Sequence, residues 1–240
     1  MIGGYRYYSI ILEDGNTQIW RGIREKDNLP VLIKTLRGNP SPHDRANFRH
    51  EYKMTRKLSL EGIVPVINIE EDEHSICIVY QDSGGDFLSG LTEAGQMDLR
   101  AILLVGIRTA DILGELHQKG IVHKDIKPSC IIVNIPSGMV KITGLAIAQD
   151  LTWEELKMNH GNSVEGTFQY MSPEQTGRMN RSVDYRTDFY SLGVTLYQLA
   201  CGRLPFSCQD TIEWMHCHIA KIPPSPGHVD PSIPHVLSRI

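Results

Sequence analysis

The stretch "IVHKDIKPSC", residues 121–130, decides the fold. It places a histidine, an aspartate and a lysine two residues apart, at His123, Asp125 and Lys127, and Pro128 prevents a helix from forming through them. A loop with this spacing can point all three side chains to one side. Because a lone H-x-D is most often an ordinary polar surface loop, the interpretation depends on the motifs that surround it.

Four other motifs stand in a fixed order around this loop. "VLIK" (31–34) ends a strand pattern, and "HEY" (50–52) lies on the helix pattern that follows. "GTFQYMSPE" (166–174) and "DFYSLG" (188–193) come after the loop. In this order the five motifs resemble the eukaryotic-type protein kinase family, whose signature pieces are a strand lysine, a helix glutamate, an H-R-D-L-K-x-x-N loop, a D-F-G turn and an A-P-E segment.

The resemblance implies a role for each of four residues. Lys34 matches the lysine that pairs the α- and β-phosphates of ATP, and Glu51 matches the glutamate that orients it. Asp125 resembles the catalytic base that accepts the substrate hydroxyl's proton, and Lys127 the cation near the γ-phosphate. Phosphoryl transfer needs mainly in-line positioning and positive charge against the phosphate oxygens, so this set suits the reaction.

The two positions that hold Mg²⁺ in the family are substituted. The residue five places after Asp125 is Cys130 instead of asparagine, and "KITGLA" (141–146), aligned on K-x-x-D-F-G, puts Gly144 in place of aspartate. A thiol is a poor ligand for this hard cation, and glycine offers no side-chain ligand. If each loss removed about 3 kcal/mol of transition-state stabilisation, the rate would fall on the order of 10⁴-fold. We therefore predict no protein-held metal and little Mg²⁺-dependent turnover.

The nucleotide site is also altered. "LEDGNTQIWRG" (12–22) stands where the family has G-x-G-x-x-G, and only two of its glycines, Gly15 and Gly22, remain. At the alanine position of V-A-I-K the chain has a leucine, whose larger side chain presses on the adenine slot. The resemblance assigns six further positions to the nucleotide, which are Ile19, Leu32, Gln81, Ser83, Asp86 and Ile132. We expect ATP to bind weakly or not at all.

Several residues outside these motifs have two interpretations each. Thr167 is either a phosphorylation site or a structural hydroxyl near Lys127 and Asp125. In "HCH" (216–218) the two histidines diverge on a helix, which favours ordinary helix-surface residues over a metal site. Glu174, the glutamate of the A-P-E segment, usually pairs with an arginine from a later helix, so either that helix follows or the carboxylate has another partner.

Composition limits the classes of partner. The 240 residues are 41% hydrophobic, and 24 Lys plus Arg against 28 Asp plus Glu give a net charge of −4, which predicts no binding to nucleic acid or anionic membrane. The five cysteines include no C-x-x-C pair, so we expect reduced, buried thiols and no disulfides. Without a signal peptide or an apolar run of membrane length, we expect a soluble, cytoplasmic chain.

Periodicity predicts two zones. Short β-rich runs lie between residues 5 and 36, and a helix pattern at 45–60 places Phe48, Tyr52 and Leu58 near one face. With the resemblance, this predicts an α+β, two-lobed kinase fold in which residues 1–82 form the β-rich N-lobe with one helix and residues 83–240 the helical C-lobe. Because "HVLSRI" (235–240) reads as the start of another helix, we expect the final helices to be missing.

Three functional hypotheses follow. Residues 172–206 resemble more particularly the kinase-like N-terminal domain of large hybrid sensor histidine kinases of fungi and bacteria. The substituted metal positions favour a pseudokinase, a regulatory module that contacts other domains of a larger signalling chain or a partner protein. The alternatives are an active ATP-dependent Ser/Thr protein kinase and a degraded fragment without a role of its own.

Overall fold

The structure, a computed structural model, describes residues 3–93, 97–151 and 165–239. Its contacts divide the chain into two compact units. The first unit comprises Met1–Gly90 with Ser129–Ile147, and the second comprises Leu91–Pro128 with Ala148–Ile240. The assignment of residues 1–82 and 83–240 to two lobes stays a prediction.

A five-stranded antiparallel sheet is the larger of the two sheets in the first unit. Its strands are β1 (Tyr5–Asp14), β2 (Thr17–Arg24), β3 (Leu29–Leu36), β4 (Val66–Glu71) and β5 (Ile76–Gln81), in the order β1-β2-β3-β5-β4. Alternation along β3 puts Leu32 and Lys34 on one face and Val31 and Ile33 on the other. All three apolar residues of this group are buried, and Lys34 is partly exposed.

Helix α1 (Pro42–Lys57) follows the third strand and carries Glu51. Ser41 and Asp44 form a capping box at its start, and Pro42 occupies the first turn, where no amide is needed. Its buried face consists of Phe48, Glu51, Met54 and Thr55. The predicted apolar face was therefore wrong in part, because Tyr52 is only half-buried and Leu58 is already extended at the C-cap.

A second, three-stranded sheet completes the first unit. It consists of β6 (Asp86–Phe87), β8 (Ile131–Asn134) and β9 (Met139–Ile142) in the order β6-β8-β9, whereas β7 (Ile121–Val122) lies in the second unit. A 3-10 turn at Leu145–Ile147 follows β9 and packs against α1. This packing brings the end of "KITGLAIA" (141–148) beside the helix that holds Glu51.

The second unit is mainly helical. Along the chain α2 (Leu88–Glu93) leads into it, and its helices are α3 (Leu99–Gln118), α4 (Arg186–Cys201), α5 (Thr211–Ala220) and α6 (Pro226–Val229). The short strands β7 (Ile121–Val122) and β10 (Gln149–Asp150) pair antiparallel. α3 packs closely on α4, since a Cβ added at Gly106 would lie 3.2 Å from the side chain of Leu196.

The predicted α+β architecture is confirmed, with a β-sheet unit and a helical unit. All five cysteines are free, but Cys201 and Cys208 are only half-buried, so the prediction of buried thiols was wrong for these two. Within the three described ranges, no helix combines the length and the apolar character needed to cross a membrane. Whether the fold continues with further helices stays a prediction.

Candidate active site

The first unit contains a buried ion pair between the predicted phosphate lysine and the predicted helix glutamate. Lys34 Nζ donates to Glu51 Oε2 at 2.6 Å, and Glu51 is fully buried. Lys34 Nζ also lies 5.3 Å from the centre of the Phe48 ring, within reach of a cation–π contact. The structure thus brings together the two residues that the resemblance paired.

Tyr80 is a functional residue that sequence reasoning missed. Its hydroxyl donates to Glu51 Oε1 at 2.6 Å, so each oxygen of the buried carboxylate has a partner. Burial, with the neighbouring Glu51 charge, raises the pKa of Tyr80 well above its usual value. The available signal was a tyrosine in an otherwise aliphatic buried strand, "ICIVYQ" (76–81), since a buried phenol needs a hydrogen-bond partner.

The six predicted nucleotide-lining residues fall into two groups. Ile19, Leu32 and Ile132 pack in one apolar cluster with Tyr80, and none is more than 4% exposed. The other three, Gln81, Ser83 and Asp86, are exposed. Asp86 lies 3.6 Å from Arg21 Nη1, and its side chain is 67% exposed. That these six residues line a nucleotide, and that Leu32 crowds the adenine slot, stay predictions.

The glycine-loop position is a tight hairpin. β1 and β2 pair as far as Asp14 and Thr17, which leaves only Gly15 and Asn16 to make the turn. Gly15 has a φ of +60°, which glycine adopts without strain. Asp14 Oδ2 accepts a hydrogen bond of 2.8 Å from Ser129 Oγ, directly before Cys130. A negative carboxylate therefore lies beside the segment that carries one of the two altered metal positions.

The two altered metal positions are neighbours at the end of the β8–β9 pair. The amide of Thr143 donates to the carbonyl of Cys130 at 2.9 Å, and Gly144 follows with a φ of +88°. The Cys130 side chain is 5% exposed, and Leu145, at the phenylalanine position, is fully buried. Since Mg²⁺ requires oxygen ligands, a buried thiol and a residue without a side chain do not fit this ion.

The second unit brings together the predicted base, the predicted cation and Thr167. Lys127 Nζ donates to Thr167 Oγ1 at 2.8 Å, and the amide of Thr167 donates to Asp125 Oδ1 at 2.8 Å. Lys127 Nζ also lies 3.5 Å from Asp125 Oδ2. Thr167 therefore has a structural role, which was one of its two interpretations, because its amide and its hydroxyl hydrogen-bond to Asp125 and Lys127 in the H-x-D loop.

Asp188 anchors the backbone of the H-x-D loop. α4 begins at Arg186, so Asp188 lies within its first turn. Its fully buried carboxylate accepts the amides of His123 and Lys124 at 2.8 Å each, and His117 Nε2 donates to it at 2.8 Å. The carboxylate thus fixes the backbone of the H-x-D motif instead of capping its own helix.

Three further contacts fix the segment after residue 164. Lys124, at the arginine position of H-R-D, has a φ of +70°, and its Nζ lies 3.2 Å from Glu165 Oε2. Gln175 Nε2 donates to the carbonyl of Lys124 at 2.7 Å. Glu174 Oε1 accepts a hydrogen bond of 2.7 Å from Thr187 Oγ1. Of the two alternatives for Glu174, the structure therefore shows a partner other than an arginine from a later helix.

The histidines of "HCH" (216–218) differ from each other. His216 is exposed, as expected of a helix-surface residue, whereas His218 is 5% exposed, so the prediction was wrong for His218. His218 Nε2 lies 2.8 Å from the carbonyl of Phe168, and its Nδ1 lies 2.8 Å from the hydroxyl of Tyr190. α5 therefore supports the residue next to Thr167.

Comparison with known proteins gives consistent matches. The family described as "Protein kinase domain" matches residues 13–237. A probable serine/threonine-protein kinase of Clostridium perfringens is 28% identical over 239 residues, covering 98% of this chain and 34% of the relative. The serine/threonine-protein kinase PksC of Streptomyces coelicolor is 30% identical over 252 residues, covering 99% of this chain and 44% of the relative.

A third relative is the serine/threonine-protein kinase PknA of Mycobacterium tuberculosis, 29% identical over 244 residues, covering 98% of this chain and 56% of the relative. The chain thus spans between about one third and just over half the length of these curated relatives. The family match extends from the β1–β2 hairpin to residue 237, in the second unit. This chain therefore belongs to the protein kinase family, as a protein kinase domain similar to those of bacterial serine/threonine-protein kinases.

Proposed function

We propose that this domain is a pseudokinase, a kinase-fold module whose Mg²⁺-dependent phosphoryl transfer is impaired and which acts by regulation or interaction. The observation that carries the proposal is the pair Cys130 and Gly144 at the two positions where the family motif holds Mg²⁺. Protein kinases in general use ATP with Mg²⁺. Cys130 is buried and Gly144 has no side chain, so neither supplies the oxygen that the ion needs.

Nucleotide binding without a protein-held metal is part of the proposal. Lys34, held by Glu51 at 2.6 Å, presents the positive charge that would bind the phosphates of ATP, and the nucleotide when bound would supply the phosphoryl group. Three features weaken its binding, namely the crowded cluster around Leu32, the two-residue hairpin turn, and the carboxylate of Asp14 beside Ser129. We therefore expect weak binding that Mg²⁺ does not strengthen.

The resemblance of residues 172–206 to hybrid sensor histidine kinases supports a finer proposal about context. In such a chain this domain would contact other domains of a larger signalling protein, or a partner protein, in the cytoplasm. The intact Lys34–Glu51 pair and the Asp188-anchored loop keep the kinase architecture ordered, which a domain that acts by binding requires. The same order argues against a degraded fragment.

An active Ser/Thr protein kinase is the second candidate, and the comparisons favour it over a pseudokinase. The relatives reported above are named as serine/threonine-protein kinases. The four residues Lys34, Glu51, Asp125 and Lys127 are all present. Lys34 Nζ lies 2.6 Å from Glu51 Oε2, and Lys127 Nζ lies 3.5 Å from Asp125 Oδ2. In this reading Asp125 accepts the proton of the substrate hydroxyl, and Lys127 balances the charge beside it.

Thermal unfolding with ATP or ADP, with and without Mg²⁺, separates the two candidates when it is combined with a phosphotransfer assay on a generic Ser/Thr substrate. The pseudokinase predicts a small nucleotide-dependent rise in Tm that is unchanged by Mg²⁺, and no transfer above that of the Asp125→Asn variant. Robust transfer that is lost in Asp125→Asn would refute the pseudokinase and establish the second candidate.

A further inference from the structure

A cluster of metal-ligating side chains lies in the second unit, outside the kinase motifs. Cys208, Glu213 and Cys217 each offer one ligand atom, and these three atoms all lie within 4.8 Å of one another. Cys217 is fully buried, whereas Cys208 and Glu213 are half-buried, so the cluster opens from the interior towards solvent. It is the one such group of three or more found in the described residues.

The local fold presents these side chains together. Glu213 and Cys217 are four residues apart on α5, so they lie on one face of the helix, and Cys208 comes from the loop before it. The helix start is fixed, because the N-cap Asp210 accepts from the amide of Glu213 at 2.8 Å. The amide of Gln209 donates to Glu213 Oε2 at 2.9 Å, which orients that carboxylate.

We propose that Cys208, Glu213 and Cys217 bind a divalent cation of the Zn²⁺ class. Two thiolates select a borderline or soft metal over Mg²⁺ or Ca²⁺, and a carboxylate is an accepted third ligand. The two sulfurs are 3.0 Å apart. Because Zn–S bonds of about 2.3 Å in a tetrahedron place sulfurs about 3.8 Å apart, they must separate by about 0.8 Å on binding. Cys208 is on the half-exposed loop and can make this movement.

Charge around the cluster fits a bound dication. Lys221 Nζ lies 3.8 Å from Glu213 Oε1, and it also interacts with the Cys217 sulfur. Two thiolates and one carboxylate carry three negative charges, which a dication and the Lys221 ammonium together neutralise. Lys221 is 48% exposed and can move aside within the site. With three protein ligands, the fourth position of the metal is left for water.

The proposed metal would fix the helix that supports the Thr167 segment. His218, the residue after Cys217, lies 2.8 Å from the carbonyl of Phe168 through Nε2. A metal bridge between α5 and the Cys208 loop would limit the motion of this helix. The inference is independent of the proposed function, because a zinc-class ion at this place takes no part in phosphoryl transfer and is compatible with either an active or an inactive kinase.

Cadmium titration tests the site, since Cd²⁺ bound to thiolates gives an ultraviolet charge-transfer band. The 240-residue chain is freed of metal with a chelator, kept reduced with a phosphine, and titrated with Cd²⁺ and then with Zn²⁺ as competitor. We expect one Cd²⁺ per chain, displaced by Zn²⁺, and a rise in Tm with Zn²⁺. Cys208→Ser should lower affinity by more than about 100-fold and Glu213→Gln by at least about tenfold, given that even residues behind the ligands change affinity 10- to 100-fold.

Two controls keep the outcome clear. Cys201→Ser removes a half-buried thiol that is not part of the cluster, so it should leave binding unchanged. Cys208 is used as the decisive variant because the fully buried Cys217 could fail to fold when replaced. The proposal is overturned if Cd²⁺ gives no band, if Cys208→Ser binds as tightly as the parent, or if the reduced chain binds no metal but forms a Cys208–Cys217 disulfide with an oxidised dithiol reagent.

Discussion

The phenol of Tyr80 donates a 2.6 Å hydrogen bond to the oxygen of Glu51 that Lys34 does not use. Glu51 is fully buried, so Tyr80 and Lys34 supply the hydrogen bonds that its two carboxylate oxygens need in the interior. The phenol also interacts with the hydroxyl of Thr143, the residue before Gly144. The position of the family's phosphate-binding lysine therefore depends on a tyrosine at the end of β5 as well as on α1.

The first prediction is that Tyr80→Phe destabilises the protein by about 1–3 kcal/mol, because Glu51 Oε1 then lacks a buried donor. Urea unfolding measures the change. Tyr52→Phe is the matched control, since its hydroxyl accepts from Arg56 on the exposed side of the same helix, and its effect should stay within about 0.5 kcal/mol. Equal effects of the two variants would show that the Tyr80–Glu51 bond contributes little.

The second prediction concerns the anchor of the H-x-D loop. Asp188→Asn should lower stability by about 3 kcal/mol, because the new amide group faces the N–H donors of His123, Lys124 and His117. Denaturant midpoints measure this. Asp184→Asn, which removes a carboxylate paired with the exposed Arg186 just before the same helix, should cost less than about 1 kcal/mol. A small effect at Asp188 would contradict the anchoring role.

The resemblance to the kinase motifs predicted which residues would pair, because the motifs of a family carry side chains that meet in its folded domain. Lys34 contacts Glu51, and Asp125 lies with Lys127 and Thr167, as the resemblance implied. Periodicity was less reliable at α1, where the buried face includes a charged glutamate. An apolar pattern cannot show that a carboxylate is buried when its partners come from other strands.

Contacts that belong to no recognised motif could not be predicted. The thiols of Cys208 and Cys217 are 3.0 Å apart because a loop folds back on the α5 face, and no C-x-x-C spacing signals that arrangement. His218 looked like a surface histidine, although its ring lies against Tyr190, Phe206 and Trp214. In both cases the rotation of α5 about its axis decides which side chains are buried, and tertiary packing sets that rotation.

The third prediction concerns the carboxylate at the tip of the first hairpin. Asp14→Asn should tighten ADP binding without Mg²⁺ by about fivefold, since removing one nearby negative charge lowers phosphate repulsion by about 1 kcal/mol. Calorimetry measures the affinity. Glu13→Gln makes the same charge change one residue earlier, where Arg37 and Gln18 already hold the carboxylate, and should have a smaller effect. A contrary result would be that the unmodified chain binds ADP more tightly than Asp14→Asn, and only when Mg²⁺ is present. Asp14 would then be a metal ligand that replaces the missing ones.

The last prediction tests whether the missing metal ligands cause the impairment. Gly144→Asp with Cys130→Asn should restore Mg²⁺-dependent nucleotide affinity and measurable phosphoryl transfer, because the chain retains Lys34, Glu51 and Asp125. The φ of +88° at residue 144 is strained for most side chains, although aspartate tolerates the left-handed region better than most. We therefore expect a fall in stability of about 1–2 kcal/mol alongside the gain.

Each variant alone serves as a control for the pair, and Asp125→Asn in the double variant should abolish any restored transfer. If the double variant binds Mg²⁺ with nucleotide yet transfers nothing, loss of metal ligands is an insufficient cause. The remaining causes would then be Leu32 in the crowded apolar cluster, the two-residue hairpin turn, and Leu145 buried at the phenylalanine position. If the double variant instead transfers slowly but measurably, a raised KM for ATP would indicate these three features, because they act on nucleotide placement, whereas a lowered kcat would indicate a remaining metal defect.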